Sequence, residues 1–251
     1  MNALLKTIAL VCVIATTALA QTPAVKSLPS FDKVIVSPMV RLVLVAGDAE
    51  SARLEYENIA PDKVNCYVDG NTLRIFLDDA KITVKQRRYD DGHSSYKEPI
   101  YDKSVKVTAY VTYRQLNELE IRGEEEATCQ SEIKADVFRL RVYGQANVTL
   151  SSLKTDRLIA SVYGENRITI QSGQATEQTY RVYGESEIDA ENLIGQNVST
   201  SLYGDSKLRL YASNRIGVTA FGESDVKYTG DAHVDKGLVI GDVTIRKVRP
   251  E

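Results

Sequence analysis

Four carboxylates recur along the second half of the chain at nearly constant spacing: Glu165, Glu185, Asp205 and Glu223, with Gln145 opening the series. Like charges about 5 Å apart repel by roughly 1 kcal/mol in water, which a solvated turn tolerates. A hard cation would relieve that repulsion. The calcium-binding repeat Gly-Gly-x-Gly-x-Asp is not written here, so the sequence predicts no metal and no cofactor. Arg141, Arg181, Arg167 and Arg209 run alongside. Carboxylates and basic residues on one face are what cleavage of an acidic polysaccharide needs. The two histidines, His93 and His233, sit in no nucleophile or metal motif. The pairs Asp78-Asp79 and Asp90-Asp91 and the run Glu124-Glu125-Glu126 read as solvated turns. No acid, base and nucleophile converge, so no catalytic residue is assigned.

Each of these carboxylates follows a glycine, and each glycine follows an aromatic ring. Tyr143-Gly144, Tyr163-Gly164, Tyr183-Gly184, Tyr203-Gly204 and Phe221-Gly222 form the series, with Ile240-Gly241 after it and Arg122-Gly123 before it. A fixed period near 20 residues is the signature of a solenoid. Apolar residues alternate before the glycine, as in Leu158, Ala160 and Val162, and after it, as in Ile168 and Ile170. Period-two alternation means strands with one buried face. Each unit is a strand, a bend at glycine, a second strand and a polar turn such as Ser151 to Asp156 or Gln171 to Gln178. The fold class is all-β, a single-stranded parallel β-helix with about 20 residues per rung. The rival arrangement is an antiparallel sandwich with hairpins at Tyr-Gly.

Parity turns Val142 inward and Tyr143 outward. The same parity sets Tyr163, Tyr183, Tyr203 and Phe221 on one outer stripe, a possible contact surface. The stripe reads as a structural ladder, as a surface between copies in a homo-oligomer, or as a site for a glycan or protein ligand. The polar, tyrosine-rich excursion over residues 86–104, with Tyr89, Tyr96 and Tyr101, is a possible specificity loop.

Residues 1–20 read as a signal peptide. Lys6 precedes an apolar run from Ile8 to Leu19, and Ala18-Leu19-Ala20 fits signal peptidase. Residues 21–30 follow as a linker, and no transmembrane helix is expected in the mature chain. The solenoid spans 31–247, with 31–80 as irregular first rungs and 116–247 as regular repeats. Val36-Ser37-Pro38, followed by Leu42 and Leu44, aligns with Val142-Tyr143-Gly144, followed by Val148 and Leu150. Net charge is −3 with both signs interspersed, and no basic patch invites nucleic acid. An exported chain permits a disulfide between Cys66 and Cys129. Their slots place both inside, two or more rungs apart, beyond the roughly 7 Å a disulfide spans. Two free buried thiols are predicted.

Phe31-Asp32-x-Val34-x-Val36, Asp69-Gly70-x-x-Leu73-x-Ile75, the strand from Val105 to Leu119 and the glycine-centred repeats together resemble the head GIN domain family over about residues 31–247. Its members are exported mostly by Bacteroidetes and are described as auto-transporter adhesins. The family writes its bend as Ser-Gly-Ser-Gly, whereas here Tyr or Phe precedes the glycine. The resemblance implies a β-helical fold, an exported protein that is periplasmic, outer-membrane-associated or extracellular, and an adhesin or binding module without catalytic residues. No translocating barrel is written in this chain. A polysaccharide-active enzyme and a purely structural or oligomer-forming envelope protein are the other two functions the sequence admits.

Overall fold

The computed structural model describes residues 25–90 and 94–249. The expected signal peptide, Asp91 and His93 lie outside the described residues.

Alternation builds the coil. Leu158, Ala160 and Val162 are buried, while Arg157, Ile159, Ser161 and Tyr163 point outward. The strand pairs in parallel with its neighbours one unit away, so Tyr143, Tyr163, Tyr183, Tyr203 and Phe221 are all in register. The second strands stack likewise: Val148 on Ile168 on Ile188 on Leu208 on Val226. Parallel pairing throughout this column rules out the antiparallel sandwich. The result is a parallel β-solenoid of about six turns. Its interior is a set of stacked aliphatic columns, each fully buried side chain contributing about 1.5–3 kcal/mol.

Each regular coil has a third side. The stretch 151–156 is expected as a turn, yet it lies within the strand Asn147–Gly164. Gly173–Tyr183 likewise starts inside the expected turn 171–178. Leu153 stacks on Ile133 and Gly173, and Gly173 on Leu193. Among the described residues the third side carries no strand beyond Leu193–Ile194, and the coil from Tyr203 to Phe221 is shorter than those before it. The tail coils therefore hold together by two strands each.

The head of the solenoid is closed. Lys33–Val36 and Val40–Ala46 make a coil, with Val36 in register with Val142 through Ile121. Leu42 and Leu44 reach Val148 and Leu150 through Ala127 and Cys129. Residues 64–77 do not make a coil: Val64–Asp69 and Thr72–Leu77 form an antiparallel hairpin around Gly70. Thr72–Leu77 lies outside Lys33–Val36 in the stack although it follows it in the chain. Ser51–Glu57 closes the neighbouring side, antiparallel to Lys106–Tyr113. The excursion is a separate hairpin, Gln86–Asp90 with Ser95–Pro99, both strands exposed.

Both thiols are free. Cys129 is buried, with its Sγ 3.3 Å from the Tyr113 hydroxyl. Cys66 is only half-buried, because its strand belongs to the capping hairpin and not to a coil. Burial pushes both thiols above the usual cysteine range. Intact mass after alkylation under denaturing, non-reducing conditions should show two adducts. A chain two protons light with no adduct would overturn this placement.

Candidate functional site

The front strands carry Tyr143, Tyr163, Tyr183, Tyr203 and Phe221 on their outer face, as parity requires. Their rings stack in one ladder, with centroids 5.0, 4.9, 4.9 and 5.2 Å apart and planes within 6° of parallel. The four tyrosines are 36–40% exposed. Offset stacking at this distance adds about 0.5–1.5 kcal/mol per pair. Stacking also decides what the ladder offers a ligand. Inside the column each ring covers its neighbours' faces, so edges and hydroxyls point to solvent. Beside the ladder the outward positions include Ser161, Thr179, Ser199, Ser201 and Thr219, with Ile159 and Arg141 among them. Arg181 rises from this strip.

The carboxylates Glu165, Glu185, Asp205 and Glu223 line an open groove of about 730 Å³ on the other side of the glycines, joined by Asp242. Among the described residues no group of three or more His, Cys, Asp or Glu side chains converges as a metal would need. Beneath the carboxylates lies a buried polar column, Asn166, Ser186, Ser206 and Ser224. Its role is local. Up to Gly164 the corner N–H groups donate toward the preceding coil, as in Glu165 to Gly144. From Gly184 on they donate toward the following coil, as in Gly184 to Tyr203. At this reversal the Asn166 Oδ1 accepts the Ala146 N–H at 2.9 Å and the Ser186 Oγ accepts the Asn166 N–H at 3.2 Å. Replacing Asn166 by Ala should cost about 1–3 kcal/mol, because the buried Ala146 N–H loses its acceptor; thermal melting checks it.

Glu125 occupies the same corner position one coil above Ala146. It is half-buried, which differs from the solvated turn its run suggests, while Glu124 and Glu126 are exposed. Burial raises its pKa, opposed by backbone N–H groups including those of Glu124 and Met39. Several of the other charged candidates are engaged structurally. Asp79 pairs with Lys85 at 2.7 Å, Asp78 accepts from Asn65 at 2.8 Å, and Arg167 pairs with Glu187 at 2.8 Å. Arg141 contacts Glu118. His233 is exposed on the last front strand.

The excursion hairpin stands apart from the ladder's middle. Tyr89 and Tyr96 stack across its strands at 5.4 Å, both exposed, whereas Tyr101 lies at its root. A pocket of about 580 Å³ opens where that root meets the first tyrosine of the ladder, lined by both Tyr101 and Tyr143. Sequence reasoning missed this pocket. Its only sequence signal is that the aromatic series begins at Tyr143 and has Arg122 one unit earlier.

Several solved structures share this architecture. A "putative adhesin" from Bacteroides fragilis is 19% identical with a TM-score of 0.72, covering 90% of this chain and 95% of its own. A "putative adhesin" from Parabacteroides distasonis is 18% identical with a TM-score of 0.66, covering 90% and 96%. A "putative lipid binding protein" from the same species is 17% identical with a TM-score of 0.61, covering 92% and 98%. At these identities the likeness is one of fold. Among curated proteins no sequence matches. The family "Putative auto-transporter adhesin, head GIN domain" matches residues 30–232, and with the glycine-cornered solenoid that match places this chain within that family.

Proposed function

We propose that this chain is an exported, non-catalytic binding module of the cell envelope, an adhesin that meets its ligand with the tyrosine-edged front face. The observation that carries the reading is the ladder itself: four tyrosine rings with centroids about 5 Å apart, beside outward serines, threonines and arginines. Because the ring faces are covered, the strip suits a partner that hydrogen-bonds along an extended line, and a glycan chain has that chemistry. Tyr89, Tyr96 and Tyr101 form a second contact region at the head. The apolar run from Ile8 to Leu19, read as a signal peptide, supports export, and the family's description as adhesins supports binding over turnover.

A screen against glycans and host surface proteins tests this. A ligand found there should bind at least about tenfold more weakly to Tyr163→Ser/Tyr183→Ser, which removes two adjacent hydroxyl edges and their stacking. A ligand indifferent to that variant would sink the front face as the contact, and turnover of a uronic-acid polymer would overturn the non-catalytic reading. The relative described as lipid binding makes phospholipid vesicles a necessary arm of the screen.

A further inference from the structure

The aromatic ladder stops at Tyr143. One face of that ring carries Tyr163. Among the described residues no ring or cation stacks on the other face. The residue in register one coil above is Arg122. Its guanidinium pairs with Glu120, at 2.8 and 2.5 Å, and donates to the Lys81 carbonyl at 3.3 Å, while its charge still reaches the Tyr143 phenol. Among the described residues no ring takes the next place, and the pocket of about 580 Å³ opens at this end of the ladder.

The pocket is lined by Gly123, Gly144 and Gly164, with the Glu125 carboxylate and Pro38 closing in over Gly123. Pro38, Pro99 and Val84 give it apolar walls from two separate parts of the chain. Its charged residues are unequal in sign: Asp102, Glu124, Glu125 and Glu165 against Lys103 and the already engaged Arg122. A free aromatic face beside excess negative charge selects a flat cation with an apolar stem. A guanidinium meets that description better than an ammonium, because it is planar, stacks on rings and gives up its hydration more easily.

We propose that this pocket holds an arginine side chain of a peptide segment, its guanidinium stacked on the free face of Tyr143 and paired with Glu124. The inference deepens the reading of this chain as a binding module. It names a protein partner with an exposed arginine beside apolar residues, and it does not depend on what lies along the front face.

The test uses the mature chain and two acetylated, amidated peptides, Gly-Leu-Arg-Leu-Gly and the same sequence with citrulline, which keeps the shape and removes the charge. By calorimetry the arginine peptide should bind at least about tenfold more tightly than the citrulline peptide. Tyr143→Leu, which fills the space without a ring face, should weaken it several-fold. Glu124→Gln should weaken it further and flatten its salt dependence, while the thermal melt stays unchanged because that side chain is exposed. Equal binding of the two peptides, or no effect of either variant, overturns the proposal. So does absence of arginine-peptide binding at millimolar concentration. In that case a front-face ligand sensitive to Tyr163→Ser/Tyr183→Ser would still leave the binding-module reading standing.

Discussion

Gly164→Ala should lower the unfolding free energy by about 2–5 kcal/mol, while the same substitution at Gly217 should be neutral or slightly stabilising. At Gly164 φ is +107°, and a Cβ would lie 2.2 Å from the Gly144 carbonyl oxygen. Positive φ costs an L-residue about 1–2 kcal/mol, and relieving an overpacked contact adds about 1–3. The obstructing atom is backbone, fixed by the coil above, so it has no rotamer to escape into. Gly70 separates the two costs. Its φ is +61°, but nothing lies within 4 Å of the position a methyl group would take. Alanine there should cost only the conformational part, about 1–2 kcal/mol. At Gly217 φ is unexceptional and the nearest atom stands 3.9 Å away. Alanine there reduces the freedom of the unfolded chain and gains up to about 1 kcal/mol. Urea unfolding of the three variants checks the order, and equal losses at all three would refute backbone contact as the reason for the glycine column.

Gln178→Leu should destabilise the chain by about 2–4 kcal/mol. Gln178 and Tyr180 are both buried. The Tyr180 hydroxyl donates to the Gln178 Oε1 at 2.8 Å, and the Gln178 Nε2 donates to the Leu193 carbonyl at 2.9 Å. Leucine leaves the hydroxyl and the carbonyl without partners in an apolar core, at about 1–3 kcal/mol each. Tyr180→Phe alone strands the Gln178 Oε1 and should cost about 1–3 kcal/mol. The double variant removes both members of that bond, so its loss should be smaller than the sum of the single losses. Strict additivity in thermal or urea unfolding would show that the two side chains do not act as a pair.

The same residues show what could be read beforehand. The front and second strands were legible because each carries two or three aliphatics at alternate positions, and the period repeats them in register. The third side was not. It places only one or two small or aliphatic residues inward per coil, as Leu153 and Thr155 do, among serines and lysines that also describe a turn. Gln178 looked like turn polarity because its partner lies on the adjacent alternate position and its acceptor on the next coil. Glu125 read as solvated because charge in a run of three outweighs register. The capping hairpin around Gly70 imitated a coil because a tight turn and a coil corner both ask for glycine. Parity set the tyrosines on the outside, yet it carries no information on ring orientation. It is orientation that turns faces into edges and leaves one free face at Tyr143.

The loss of the third strand beyond Leu193–Ile194 has a mechanical meaning. Backbone hydrogen bonds between coils run along the solenoid axis, so tension applied between the two ends passes through every coil in series. A chain of links in series yields at its weakest link. Coils joined by two strands carry the same force on fewer bonds than coils joined by three. Under axial load the tail coils should peel before the head with its hairpin and pocket. Each released coil dissipates work before the load reaches the head.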